Sequence, residues 1–216
     1  GTVNNLTKAG VGTLEWTGAL SAKNITYRAG RLIGDINLTG TSGDPSTFTY
    51  VAGPATGELT GQLNLNNHVV NFVVNRGSAS VDLKLSGKVT NGGIAMSGGG
   101  IIELASGDND YALGTTISGA NSTLLLSGSI GSGALVLNDG TRLVMSGVQP
   151  WVAGLREIRL PQGTAWDTGA GRLFPEPTAL NSQITLGVRA GQFNVVTNTP
   201  QPYTKPNWSD NNTFVY

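Results

Sequence analysis

The chain has 216 residues, 38% of them hydrophobic and only 12% charged, with 32 glycines and 13 Lys+Arg balanced against 13 Asp+Glu. That length supports a core, and that composition excludes a charged disordered tail. Zero net charge without a run of either sign excludes the electrostatic footprint of a nucleic-acid or anionic-membrane binder, and the absence of cysteine excludes disulfides and thiolate metal sites.

No apolar run is long enough to cross a membrane as a helix. The opening residues, GTVNNLTKAG, lack a signal-peptide core, so any signal peptide is expected to have been removed or to lie upstream. GTLEWTG (12–18) then alternates apolar and polar residues as a half-buried strand does, which places Trp16 toward the core. DINLTG (35–40), ATGELTG (55–61), VDLKLSG (81–87), IIELASG (101–107), NSTLLLSG (121–128) and GTRLVMSG (140–147) repeat the theme of a short strand closed by Ser-Gly or Thr-Gly. Their last large apolar residues are Trp16, Leu38, Leu59, Leu85, Leu104, Leu126 and Met145, a recurrence of roughly 20 residues that marks a solenoid. The connecting segments, such as TNGGIAMSGGG, are too rich in glycine for the helical return of a leucine-rich repeat. The expected fold is therefore all-β, a parallel β-helix of about seven rungs over residues 1–147.

In that arrangement Leu38, Leu85, Leu104, Leu126 and Met145 share one buried axial ladder, and Asn37, Lys84, Glu103, Leu125 and Val144 face outward. Lys84 would then neighbour Glu103. The apolar outward pair Leu125 and Val144 suggests that the C-terminal tail covers that part of the face. The long interval between Leu59 and Leu85 is expected to hold an extra strand and a protruding loop near Asn66-Asn67-His68, with His68, the only histidine, in the loop. A histidine without a neighbouring ligand makes no zinc site. The Gly-rich turns precede no helix, so they are corners rather than phosphate loops. GDNDY (107–111) and NDG (138–140) have oxygens for calcium, but neither follows a calcium-binding repeat and both read as turns. Residues 148–216, rich in proline and carrying Trp151, Trp166, Tyr203 and Trp208, are expected to form a cap and a linker to a following module. The strand signals there are SQITLGVRA (182–190) and QFNVV (192–196).

NLTKAGVGTLEWTG (5–18) and GDNDYALGTTISGANSTLLLSG (107–128) resemble the autotransporter-associated β-strand repeat, also called the passenger-associated transport repeat. The second stretch matches at Asn109, Tyr111, Gly114, Thr115, Thr116 and Ile117. GLREIRLPQGTAWDTG with WSDNNTFVY resembles the junction between such repeats and a PA14-like sandwich. The resemblance implies a right-handed β-helix, secreted or on the surface of a diderm bacterium, structural or adhesive, with a surface glycan, a protein or further copies as partner. It supplies no catalytic residue, metal or cofactor. The rival reading is a carbohydrate-active or carbohydrate-binding β-helix. Its one acidic pair, Glu58 and Glu103, would stand two rungs apart, about 9.6 Å, at the far edge of the roughly 6.5–9.5 Å used by inverting hydrolases. Lys84 between them favours the ionised form of both, the wrong direction for a general acid. Sugar binding without catalysis would rest on Trp151, Trp166, Tyr203 and Trp208.

Overall fold

A computed structural model describes residues 1–145 in full and, from Ser146 onward, only the backbone of strand segments. Among the described residues there is no helix. The first thirteen strands are β1 (Thr2–Lys8), β2 (Thr13–Tyr27), β3 (Gly30–Leu38), β4 (Thr47–Tyr50), β5 (Gly57–Leu59), β6 (Leu63–Val74), β7 (Leu83–Leu85), β8 (Val89–Ser97), β9 (Ile101–Leu104), β10 (Thr115–Ile117), β11 (Thr123–Leu126), β12 (Leu135–Leu137) and β13 (Arg142–Ser146). All pair in parallel with strands of neighbouring coils, giving the expected β-solenoid, of about seven turns.

Each coil crosses three walls. Wall one stacks Leu14, Leu32, Leu59, Leu85, Leu104, Leu126 and Met145. Wall two stacks Leu20, Ile36, Leu63 and Val89. Wall three stacks Leu6, Ile25, Phe48, Phe72, Met96, Ile117 and Leu137. No coil buries these side chains alone; in the middle coils each is covered by the rung above and the rung below, while Leu14 in the first coil is 37% exposed, which is why the repeat must stack to be stable. The aromatics of wall three interlock, with Phe48 and Phe72 stacked at 5.3 Å and Tyr27 edge-on to Tyr50 at 6.2 Å.

The recurring Ser-Gly closure has a steric cause. At the corner from wall one to wall two Gly61, Gly87 and Gly128 lie on the backbone of the coil beneath: a Cβ would come within 1.9 Å of the Gly34 carbonyl oxygen, 1.9 Å of that of Gly61 and 2.2 Å of that of Ser106, whereas Gly18 and Gly107 have open space there. The N–H groups of the serine and of the glycine itself share one acceptor: Ser86 and Gly87 both donate to Leu59 O, Ser127 and Gly128 both to Leu104 O. The corner from wall two to wall three uses asparagine instead, with Asn66, Asn67 and Asn91 at φ near +55°. Asparagine tolerates that region better than other side chains.

Three expectations change at these corners. Trp16 packs against the core but holds no rung of the wall-one ladder. Its ring is half-buried over Gly34 and its Nε1 donates to Asp35 O at 3.1 Å, so Leu14 begins the wall-one ladder. Leu38 is buried but belongs to wall two, beside Ala22, and Leu32 holds the wall-one position. No loop protrudes at Asn66-Asn67-His68; the pair of left-handed asparagines turns the chain within β6, and His68 is 1% exposed.

Past wall three, β14 (Glu157–Arg159) continues the parallel stack on β12, and β16 (Gln183–Arg189) then lies antiparallel against β13. β17 (Gln192–Thr197) pairs antiparallel with β16 and parallel with β15 (Ala165–Trp166), and β18 (Thr213–Val215) antiparallel with β14. The strand signals at 182–190 and 192–196 thus coincide with β16 and β17. The rest of the expected cap, with the side chains of Trp151, Trp166, Tyr203 and Trp208, lies outside the described residues. Leu125 and Val144 are half-buried.

Buried phenols make the fold sensitive to alkali. Tyr27, Tyr50 and Tyr111 are each 0% exposed, and burial raises all three above the usual tyrosine value; Tyr111 is pushed up to about 12, partly offset by its bond to Thr115. A phenol whose folded value exceeds its unfolded value, near 10, contributes stability that is complete below pH 10 and lost as pH rises through the folded value. Stability should therefore fall between pH 10 and 12, by up to about 1.4 kcal/mol per pH unit from Tyr111 alone. Urea unfolding across that range, with Tyr111→Phe as the less pH-sensitive comparison, measures it. Equal pH dependence in the two proteins would refute the assignment.

Candidate functional site: a groove on wall one

Parallel register converts the outward residues of wall one into a column: Arg31, Glu58, Lys84, Glu103, Leu125 and Val144. The expected stacking of Lys84 between Glu58 and Glu103 is present, and the structure adds Arg31 at the near end. Charge alternates along the first four positions. Arg31 Nε meets Glu58 Oε2 at 3.1 Å, and Lys84 Nζ meets Glu103 Oε1 at 3.5 Å. Each carboxylate also accepts from the hydroxyl of a strand-closing serine, Ser86 to Glu58 at 2.6 Å and Ser127 to Glu103 at 2.5 Å. The serine of the Ser-Gly motif thus has its own task beside that of the glycine.

This column floors an open groove of about 470 Å³, also lined by Val11, Gly30, Ala55, Thr56, Ser80 and Val81 from the corner between walls three and one. Ala55 and Thr56 belong to the connection 51–56, and Ser80 and Val81 to the connection 75–82. At the same corner the other coils use shorter links, 9–12, 28–29, 98–100, 118–122 and 138–141. The longer of the two loops is pinned from beneath by Asp82, which is 0% exposed. Its Oδ1 accepts from Gly77 N–H at 2.8 Å and pairs with Arg76 at 2.9 Å, while Oδ2 accepts from Ile101 N–H at 2.7 Å. Ser78 N–H donates to Gly53 O, which ties the two loops together. Tyr27 supports the floor: its hydroxyl lies between the carbonyls of Gly30 and Glu58 and accepts from Glu58 N–H at 2.8 Å.

The remaining polar residues singled out in the sequence are held structurally. His68 Nε2 accepts from Ser46 N–H at 3.2 Å and Nδ1 lies 3.2 Å from Asn66 O, so both ring nitrogens close the wall-two corner. Asn109 replaces a strand in wall two, accepting from Val89 N–H at 2.8 Å and donating to Ser129 O at 2.7 Å. Asp110 pairs with Lys88 at 2.7 Å. Among the described residues no group of three or more His, Cys, Asp and Glu is placed to hold a metal ion. Sequence reasoning found Glu58, Lys84 and Glu103 but missed Arg31 and Asp82. Arg31 was hidden by the assignment of Trp16 and Leu38 to wall one, and no pattern marks an aspartate that serves a loop.

Fold and groove together define a neutral parallel β-solenoid with one self-paired charged column. Comparison with protein-family models, with curated proteins and with solved structures finds no match.

Proposed function

We propose that the chain is a non-enzymatic structural or adhesive module of a bacterial surface protein, a stiff solenoid that spaces or binds, in the manner implied by its resemblance to autotransporter-associated repeats. The observation that carries this reading is the engagement of both carboxylates of the groove. Glu58 and Glu103 each hold a cation and a serine hydroxyl of the fold. A catalytic carboxyl must reach a proton of the substrate, and both of these already have partners within the fold.

Glu103→Gln tests it. The exchange should change stability by less than about 1 kcal/mol, since ion pairs near the surface contribute little. On a panel of glycans assayed for new reducing ends or unsaturated products, both proteins should yield none. Turnover that falls a hundredfold or more in the variant would overturn the reading, because general acid or base catalysis contributes about 10² to 10⁴ in rate.

A further inference from the structure

The groove is more elaborate than a spacer needs. Elsewhere this solenoid turns from wall three to wall one in two to five residues, as the links 9–12, 28–29, 98–100, 118–122 and 138–141 show, against six in 51–56 and eight in 75–82. Two adjacent coils instead extend loops beside the charged column, and a fully buried aspartate with an arginine partner holds the longer one in place. Burying a carboxylate is unfavourable unless it is fully bonded, so the fold commits three contacts to Asp82 and thereby fixes a loop whose Ser80 and Val81 line the groove. Rigid loops that form one wall of a groove are how scaffolds present binding residues.

From these features we infer that the wall-one groove is a binding site for a neutral, extended glycan. The inference rests on the non-enzymatic reading above and names what the module would hold. The column runs from Arg31 to Glu103 over three rung spacings, roughly 14 Å, and so suits a ligand that is itself a linear repeat. Its charges alternate and cancel, so nothing in it attracts a polyanion or polycation over distance; what it has are short-range donors and acceptors fixed in direction. Arg31 commits only Nε to Glu58 and its side chain is 52% exposed, which leaves two terminal amino groups for ligand hydroxyls. Lys84, 36% exposed, adds an ammonium two rungs along, and Ser80 and Thr56 add hydroxyls at the rim. Val11, which is 71% exposed, and Val81 provide apolar contact for the C–H faces of sugar rings. Among the described residues no aromatic side chain lines the groove, so affinity is weak, on the order of millimolar for one site, and adhesion comes from several modules acting together.

The test is a titration of the isotope-labelled full chain with neutral hexasaccharides of gluco, xylo, manno and galacto configuration, followed by amide chemical shifts. At least one should give saturable shifts around Arg31, Thr56, Glu58 and Ser80, with a dissociation constant that changes less than about twofold between low and physiological salt. Arg31→Ala and Lys84→Ala should each weaken it at least about tenfold at unchanged melting temperature, while Asn71→Ala on the outer face of wall three should leave it unaltered. The inference fails if no neutral glycan gives saturable shifts, if the shifts map away from wall one, if neither variant weakens binding, or if only a polyuronate or a peptide binds. Cleavage of a bound sugar would instead contradict the non-enzymatic proposal and leave the site itself standing.

Discussion

Phe72→Ala should destabilise the solenoid by about 3–5 kcal/mol. Phe72 is 0% exposed and stacks on Phe48 at 5.3 Å, with Met96 as its neighbour on the next rung. Truncation removes the transfer free energy of the ring and leaves a void. That void cannot collapse readily, because the Cα positions on either side are held by parallel backbone ladders about 4.8 Å apart. Coils in a solenoid are coupled only through their neighbours, so the loss should appear as early local opening of the middle coils as well as a lower urea midpoint. Amide exchange read at β4, β6 and β8 would show it. A cost below about 1 kcal/mol would mean that wall three is not packed as described.

The second large effect is expected at Asp82. Asp82→Ala removes the acceptor for Gly77 N–H and Ile101 N–H together with the partner of Arg76. Unsatisfied buried donors cost about 1–3 kcal/mol each, so a loss of about 3–5 kcal/mol is expected from urea denaturation, with a smaller loss for Asp82→Asn, which keeps one acceptor oxygen. The loop 75–82 should also become susceptible to protease before the rest of the chain unfolds. Equal stability of wild type and Asp82→Ala would show that the aspartate does not hold the groove wall.

Much of this architecture is legible in the sequence because its causes are periodic. Leu59, Leu85, Leu104, Leu126 and Met145 are inward at equivalent places, and at Gly61, Gly87 and Gly128 the coil beneath leaves no room for a Cβ. The N-terminal coils misled the reading for a physical reason. β2 and β3 each run across more than one wall without a break, so DINLTG looks like the other Ser-Gly or Thr-Gly closures while it lies on wall two. With Leu38 placed on wall one, Arg31 could not be seen beside Glu58. His68 was misplaced because a corner made by two left-handed asparagines has the composition of an exposed loop, although its backbone turns within a strand. The groove was only half legible: its column follows from the repeat, whereas its wall depends on Asp82 reaching the backbone of a loop five residues back and of the next coil.

Everything proposed for wall one depends on the register that sets Glu58 beside Lys84 and separates it from Glu103 by a full rung. The chain has no cysteine, so introduced pairs report that register without interference. In Glu58→Cys with Lys84→Cys the Cα atoms are neighbours in adjacent parallel strands, about 4.8 Å apart, and lie within disulfide reach. In Glu58→Cys with Glu103→Cys they are about 9.6 Å apart and out of reach. Mild oxidation should close an intramolecular bridge in the first pair and leave the second as free thiols. A bridge in the second pair, or none in the first, would contradict the stacking on which the groove and its proposed function rest.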